Sequence, residues 1–350
     1  MHVRTDVPLA PLTTLRVGGP AARMVELERE EDVLDAVRDA DARGSGLFVL
    51  GGGSNVLVAD AGFRGLVARM AIRGVDVSRR GARVVVDVSA GEDWDAFVAR
   101  AVDEGWCGVA SLSGIPGLVG ATPIQNVGAY GEEVSDTIDG VRVFDRASGA
   151  FVDMAPDECG FGYRASRFKR SERWIVTRVR FSFERGRDAV VRYAELARAL
   201  SVSEGQRAPA GEVRETVVAL RRGKGMVLDA GDPESVSAGS FFVNPVVDAR
   251  TRADVEARAG AAPPVFDAGA GRFKLAAAWL VERAGFPKGW TQGRAGVSRK
   301  HALALVNRGG ATAHELLAAA RAIRDGVRDR FGVTLEPEPV LVGSWEDGGL

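Results

Sequence analysis

The chain has 350 residues, 46% of them apolar and 27% charged, with a formal net charge of -1. That length asks for two or three compact units rather than one core. The balanced charge excludes a broad basic surface for nucleic acid and an acidic solvating tail, so an anionic ligand must be held by local arginines and backbone amides.

The opening stretch MHVRTDVPLAPL lacks the apolar core of a signal peptide, and no run of about 18 apolar residues follows to span a bilayer, so a cytoplasmic protein is expected. Cys107 and Cys159 are too few for a disulfide framework or a zinc site; they read as core thiols, and no metal is expected. Residues 30–44 carry Val33, Leu34, Val37 and Ala40 on one helical face. LFVL at 47–50 is a short buried strand that runs into GGGSN, and VLVADAGFRGLVARM continues as strand. A strand at 82–91 precedes an amphipathic helix at 92–106, built on Trp94, Phe97, Val98, Ala101 and Val102. Residues 140–154 read as a hairpin around ASG, and WIVTRVRFSFE at 174–184 alternates as a half-buried strand. The charged, Ala/Gly-rich stretch 186–212 marks a domain boundary; helices follow at 212–222, 274–284 and 313–330, and TLEPEPVLVG closes the chain as strand. Strands and helices without strict βαβ alternation predict an α+β fold.

Two glycine loops stand out. GGGSN follows a strand, yet Asn55 leads into VLV, not a helix, so neither the dinucleotide fingerprint nor a Walker loop is supported. Taken alone it is a strand–strand turn, or a turn whose N–H groups converge on an anion. The second loop, GIPGLVGATPIQNVGAYG at 114–131, is stiffened by Pro116 and Pro123 and opened by Gly114, Gly117, Gly120, Gly128 and Gly131. Thr122, Gln125 and Asn126 supply polar tips, and Ile115, Leu118, Val119, Ile124 and Val127 argue against disorder. Two such loops on a mixed sheet point to a nucleotide cofactor.

The segments LGGGSNVLV, SGIPGLVGATPIQNVGAYG, FGYRASRFK, SAGSFFVNPVV and LEPEPVLVG occur in this order. They resemble those of the UDP-N-acetylenolpyruvoylglucosamine reductase family, in its tyrosine-loop subtype, from about residue 13 to the C-terminus. The resemblance implies an FAD-binding domain of the vanillyl-alcohol-oxidase type over 14–186, in two subdomains of 14–70 and 71–186. It also implies a substrate-binding domain over 212–330 and a C-terminal strand, 331–350, bearing a catalytic glutamate. FAD is implied as a non-covalent cofactor and NADPH as hydride donor, sharing one site in turn with UDP-N-acetylenolpyruvoylglucosamine, in a monomer of peptidoglycan precursor synthesis. That activity is that of an NADP-dependent UDP-N-acetylmuramate dehydrogenase. The implied catalytic residues are Arg164, Ser240 and Glu338. The implied cofactor contacts are Gly51, Gly52, Gly53, Ser54 and Asn55, then Ser113, Gly114, Pro116, Gly117, Gly120, Thr122, Gln125, Asn126, Gly128 and Ala129. The implied substrate contacts are Tyr163, Tyr193, Lys224, Asn244 and His301.

The residue types suit those roles. A serine hydroxyl survives burial uncharged, and a carbanion or enolate is basic enough to take its proton. Arg164 offers a fixed fork to a carboxylate that gains charge in the transition state. Glu338, between Pro337 and Pro339, must sit at an edge or strand end, where it can face a cleft; if desolvated there and protonated, it would donate a hydrogen bond to the developing enolate, and the sequence does not fix its protonation state. Lys224, flanked by Gly223 and Gly225, suits a pyrophosphate as a flexible point charge. Two rival readings remain at this level: an oxidase on the same cofactor fold, and a nucleotide-sugar sensor without turnover. No histidine lies between His2 and His301, which excludes a histidyl flavin tether in the first half.

Overall fold

The alternating segment predicted at 174–184 becomes strand Trp174–Glu184, the middle of a five-stranded antiparallel sheet. Its neighbours are Ile138–Asp145 and Ala150–Met154 on one side, Arg83–Ser89 and Val75–Arg80 on the other. The computed structural model describes residues 2–345 and 348–350. They form two compact units, one of 21–53 and 64–223 with the N-terminal strand, the other of 8–20, 54–63 and 224–350.

In the first unit, strands Arg4–Pro8, Pro20–Leu27, Phe63–Met70 and Leu47–Leu50 form a second sheet, in that order. Leu47–Leu50 runs parallel to Phe63–Met70. Helix α1, Glu30–Ala42, covers this sheet with Val33, Ala36, Val37 and Ala40. Helix α2, Trp94–Asp103, starts at Asp93, whose carboxylate accepts from the Ala96 N–H at 2.8 Å. It buries Trp94, Phe97, Val98 and Ala101 against the five-stranded sheet, with the Phe97 and Phe181 rings 5.0 Å apart. Helices α3, Ala194–Leu200, and α4, Ala210–Gly223, complete this unit around Val191, Leu196, Val213 and Val217.

The second unit holds helices α5, Ala249–Ala259, α6, Ala277–Arg283, and α7, Ala313–Phe331. Strands Ser237–Ser240, Ala304–Asn307, Ala295–Val297 and Thr291–Gln292 form its sheet, and Val340–Val342 pairs in parallel with Val56–Val58. Asp60 caps α7, accepting from the N–H groups of Ala313 and His314 at 2.8 and 2.9 Å.

The α+β class is as the sequence predicts; three expectations are corrected. The units divide after Gly223, not across 186–212, because strands Asp188–Val190 and Arg207–Pro209 pair and α3 and α4 pack into the first unit's core. The charged residues there, among them Arg187, Arg192, Arg198, Glu204 and Arg207, are the exposed positions of these strands, turns and helices. Residues 8–20 and 54–63 belong with the second unit, tied there by Asp60 and by Asn307, whose Nδ2 donates to the Leu15 carbonyl at 3.0 Å. The helix predicted at 274–284 starts at Ala277, since Phe273–Leu275 pairs as strand with Val246–Val247 and Val265–Asp267.

Candidate active site

The two glycine loops meet within the first unit. A Cβ on Gly52 would lie 2.8 Å from Gly117 Cα, so the backbones touch where a side chain has no room. Gly51 differs: its nearest neighbour would be Ala121 Cβ at 3.8 Å. Among the described residues, the N–H groups of Gly51, Gly52 and Gly53 donate to no protein acceptor, although Gly53 is buried. Only Gly53 is buried; Gly51 is half-buried and Gly52 exposed, and glycine backbones with open N–H groups leave room for an anion to approach. Gly120 packs inward instead; a Cβ there would meet Ala90 Cβ at 2.4 Å.

The GYRASR turn lies on the longer loop. Arg164 Nη1 donates to the Asn126 carbonyl at 3.3 Å and Nη2 to the Gly128 carbonyl. Ser166 Oγ donates to the Ile124 carbonyl, and Lys169 Nζ to the Arg164 carbonyl at 2.7 Å. Arg164 has φ 51°, a left-handed conformation that a bulky residue adopts only where its surroundings impose it, and such strain collects at functional sites. Its guanidinium lies 5.4 Å from the centre of the Tyr163 ring, which is 36% exposed. Tyr193, expected in a loop, immediately precedes α3 and meets the Tyr130 ring edge-on at 5.7 Å.

Three of the polar residues implied as cofactor contacts turn their side chains to the framework. Asn126 is 1% exposed; its Nδ2 donates to Glu133 at 2.8 Å and to the Gly162 carbonyl at 3.2 Å, and its Oδ1 accepts from the Ser135 N–H at 3.1 Å. The carboxamide thus braces the loop. Thr122 Oγ1 donates to the Val119 carbonyl at 2.8 Å and Ser113 Oγ to the Ala110 carbonyl at 2.7 Å, each closing its own turn. Gln125, Gly114, Pro116, Gly117 and Ala129 lie on the same loop.

In the second unit, Ser240 ends strand Ser237–Ser240 opposite Ala304. Gly239 before it has φ 70°, a turn that glycine takes without strain, and Phe241 and Phe242 after it are buried. The Phe241 N–H donates to the Leu303 carbonyl at 2.7 Å, the Glu338 N–H to the Phe241 carbonyl at 2.8 Å, and the Val243 N–H to the Glu336 carbonyl at 3.0 Å. Phe242 and Pro337 form a single bridge. Ser240 and Glu338 therefore sit on adjacent backbone segments. Glu338 lies before strand Val340–Val342, not within a strand over 331–350: Pro337 and Pro339 remove the amides that a ladder needs. Asn55 supports the same segment, donating from Nδ2 to the Glu338 carbonyl at 3.2 Å, and Ser54 accepts at its carbonyl from Thr14 Oγ1 at 3.4 Å.

Asn244 Oδ1 accepts from the Ala277 N–H at 2.9 Å and so caps α6, which fixes its amide group. His301 Nδ1 accepts from the Leu303 N–H at 3.1 Å. Lys224 opens the second unit directly after α4. Sequence reasoning missed Glu234, a 6% exposed carboxylate that ties this segment down. It accepts from Ser298 Oγ and the Arg299 N–H, both at 2.7 Å, and from Arg308 at 3.2 Å. Burial pushes its carboxyl up, but those hydrogen bonds and the Arg308 charge outweigh burial and hold it below the usual range. No local pattern marks this glutamate; its partners lie more than sixty positions away. Cys159 is fully buried, and burial pushes its thiol up to about 11, away from redox chemistry. Among the described residues no His, Cys, Asp and Glu cluster could hold a metal ion, and no helix is long and apolar enough to cross a membrane.

Residues 21–155 match an FAD binding domain, which defines the class: a flavoprotein whose cofactor unit carries both glycine loops. Residues 232–342 match the C-terminal domain of UDP-N-acetylenolpyruvoylglucosamine reductase. The chain is 51% identical to UDP-N-acetylenolpyruvoylglucosamine reductase of Thermobifida fusca, over 97% of each chain. It is 54% identical to that of Saccharopolyspora erythraea, over 95% of this chain and 94% of the relative. The crystal structure of the Thermus caldophilus UDP-N-acetylenolpyruvylglucosamine reductase superposes with a TM-score of 0.68 at 28% identity, over 98% of this chain and 99% of the other. The chain belongs to the UDP-N-acetylenolpyruvoylglucosamine reductase family.

Proposed function

We propose that this chain reduces the enolpyruvyl ether of UDP-N-acetylenolpyruvoylglucosamine to UDP-N-acetylmuramate, in the cytoplasm and as a monomer, with NADPH as electron source. Bound FAD would supply the hydride chemistry between NADPH and the terminal methylene carbon of the enol ether. Gly51, Gly52 and Gly53 hold the cofactor pyrophosphate through backbone N–H groups. Arg164 binds the substrate carboxylate, whose charge grows as hydride arrives. Its fork is pre-set by the Asn126 and Gly128 carbonyls, so little reorganisation remains at the moment of reaction. Ser240 gives its proton to the carbon next to that carboxylate, and Glu338 faces the developing enolate. Lys224 neutralises the pyrophosphate of the sugar nucleotide, with Tyr163, Tyr193, Asn244 and His301 completing the substrate contacts.

One observation carries the reading. A serine at the end of a glycine-led strand is followed by Phe241, whose carbonyl accepts from the N–H of a proline-flanked glutamate, in a chain whose other unit is a flavin-binding one. A non-catalytic sensor needs neither group. The purified protein is expected to be yellow, to bleach with NADPH without oxygen, and to regain its colour on addition of the enolpyruvyl sugar nucleotide. Bleaching without recovery would assign it another acceptor.

A further inference from the structure

The longer glycine loop is fastened to α2 at its first amide. The Gly114 N–H donates to Asp95 Oδ1 at 2.7 Å. Arg214, on α4, grips the same carboxylate with a fork, Nη1 to Oδ1 at 2.6 Å and Nη2 to Oδ2 at 3.1 Å. The loop then runs along the start of α2, the Trp94 N–H donating to the Gly117 carbonyl at 3.1 Å and the Val119 N–H to the Glu92 carbonyl at 2.8 Å. Its far end returns to the residues just before it: the Ser111 N–H donates to the buried Glu132 at 3.0 Å. Gly114 and Gly117 have φ of 70° and 130°, so neither holds its conformation through a side chain. The loop's path depends on what grips its amides.

We propose that Asp95 and Arg214 are positioning residues for the cofactor loop, Arg214 locking the Asp95 carboxylate onto the Gly114 amide so that 114–120 is pre-formed for the flavin. The carboxylate is 37% exposed, so an unheld Asp95 would turn to water; the two-point fork, which lysine cannot reproduce, prevents this. Burial pushes Asp95 up, but Arg214 and the Gly114 N–H outweigh it and keep the group ionised. The alternative is a plain strut between α2 and α4.

The inference rests on the reading of 113–131 as a flavin loop, and the test separates the two. Full-length protein is stripped of flavin and titrated with FAD by fluorescence, and melting temperatures are taken with and without FAD. Arg214→Met is expected to weaken FAD binding by about tenfold to a hundredfold, the usual worth of a charge-assisted hydrogen bond. Arg214→Lys should fall between it and the wild type, and the visible spectrum of the bound flavin should shift in both. The rise in melting temperature given by FAD should shrink in the same order. If Arg214→Met does not fold, Arg214→Lys alone decides. Variants that melt lower without flavin yet bind FAD with wild-type affinity and spectrum would make the pair a strut and overturn the proposal. A wild-type protein that takes up no FAD would overturn the flavin-loop reading as well.

Discussion

Alanine at Gly51 and at Gly52 should act in opposite directions on the protein and alike on the flavin. At Gly52 the new Cβ would stand 2.8 Å from Gly117 Cα and 3.2 Å from its carbonyl carbon. Both are backbone atoms, so the two loops must part. Overpacking of this kind costs about 1–3 kcal/mol, and about 2–4 °C of melting temperature per kcal/mol in a unit of this size. At Gly51 the nearest atom would be Ala121 Cβ at 3.8 Å, an ordinary contact, and the backbone is not left-handed. The flavin-free Gly51→Ala protein should therefore be unchanged or up to about 1 kcal/mol more stable, because alanine restricts the unfolded chain. Its methyl group is nevertheless added to a turn whose N–H groups are assigned to a phosphate, so FAD affinity should fall. Calorimetry of flavin-free protein gives the stability, and fluorescence titration gives the affinity. Gly51→Ala with unaltered FAD affinity would refute the assignment of this turn as a phosphate cradle and return it to a plain strand–strand turn.

Glu234→Gln should cost about 1.5–3 kcal/mol at neutral pH, because Arg308, Ser298 and the Arg299 amide lose a charged acceptor. The folded-state pKa of Glu234 is depressed, so its contribution is present above the unfolded value near ~4.3 and disappears as pH falls through the folded one. Urea unfolding should show the two proteins converging below about pH 4; a gap that stays constant would mean that the carboxylate charge contributes nothing. Gly239→Ala meets no atom within 4 Å, so its penalty is the strain of φ 70° alone, about 1–2 kcal/mol. Since Ser240 follows it, flavin reoxidation by substrate should slow more than flavin reduction by NADPH, as rapid mixing would resolve; equal slowing would detach Gly239 from the proton donor.

Much of this fold is legible locally. Strand Trp174–Glu184 matches its predicted bounds because alternation is a two-residue signal that needs no partner. Helices α2 and α7 are readable for the same reason, each with a continuous apolar stripe. Helix α5 is not: ARTRADVEARA buries only Val255, and its start depends on Asp248 accepting from the Thr251 N–H at 2.7 Å. The passage of 8–20 and 54–63 into the second unit is invisible for a deeper reason. It depends on Asp60 at the head of α7 and Asn307 at Leu15, contacts across more than two hundred positions. At the site, the close backbone approach at Gly52 is legible from its glycine, while the inward partners of Thr122 and Asn126 are not. Asn126 reads as a ligand contact because a polar residue in a glycine loop is conspicuous; its φ of 46° and its internal partners make it a brace. Asp95 and Arg214 escape notice because an acid on a helix and an arginine on another read as solvated surface until the fold joins them.

The central claim, that Ser240 delivers the proton, is tested most directly by Ser240→Ala in the two half-reactions measured separately without oxygen. Reduction of the flavin by NADPH should proceed at the wild-type rate, while reoxidation by the enolpyruvyl sugar nucleotide should slow by roughly 10²–10⁴-fold, the usual contribution of a general acid. Unchanged reoxidation, or equal loss in both halves, would contradict the account.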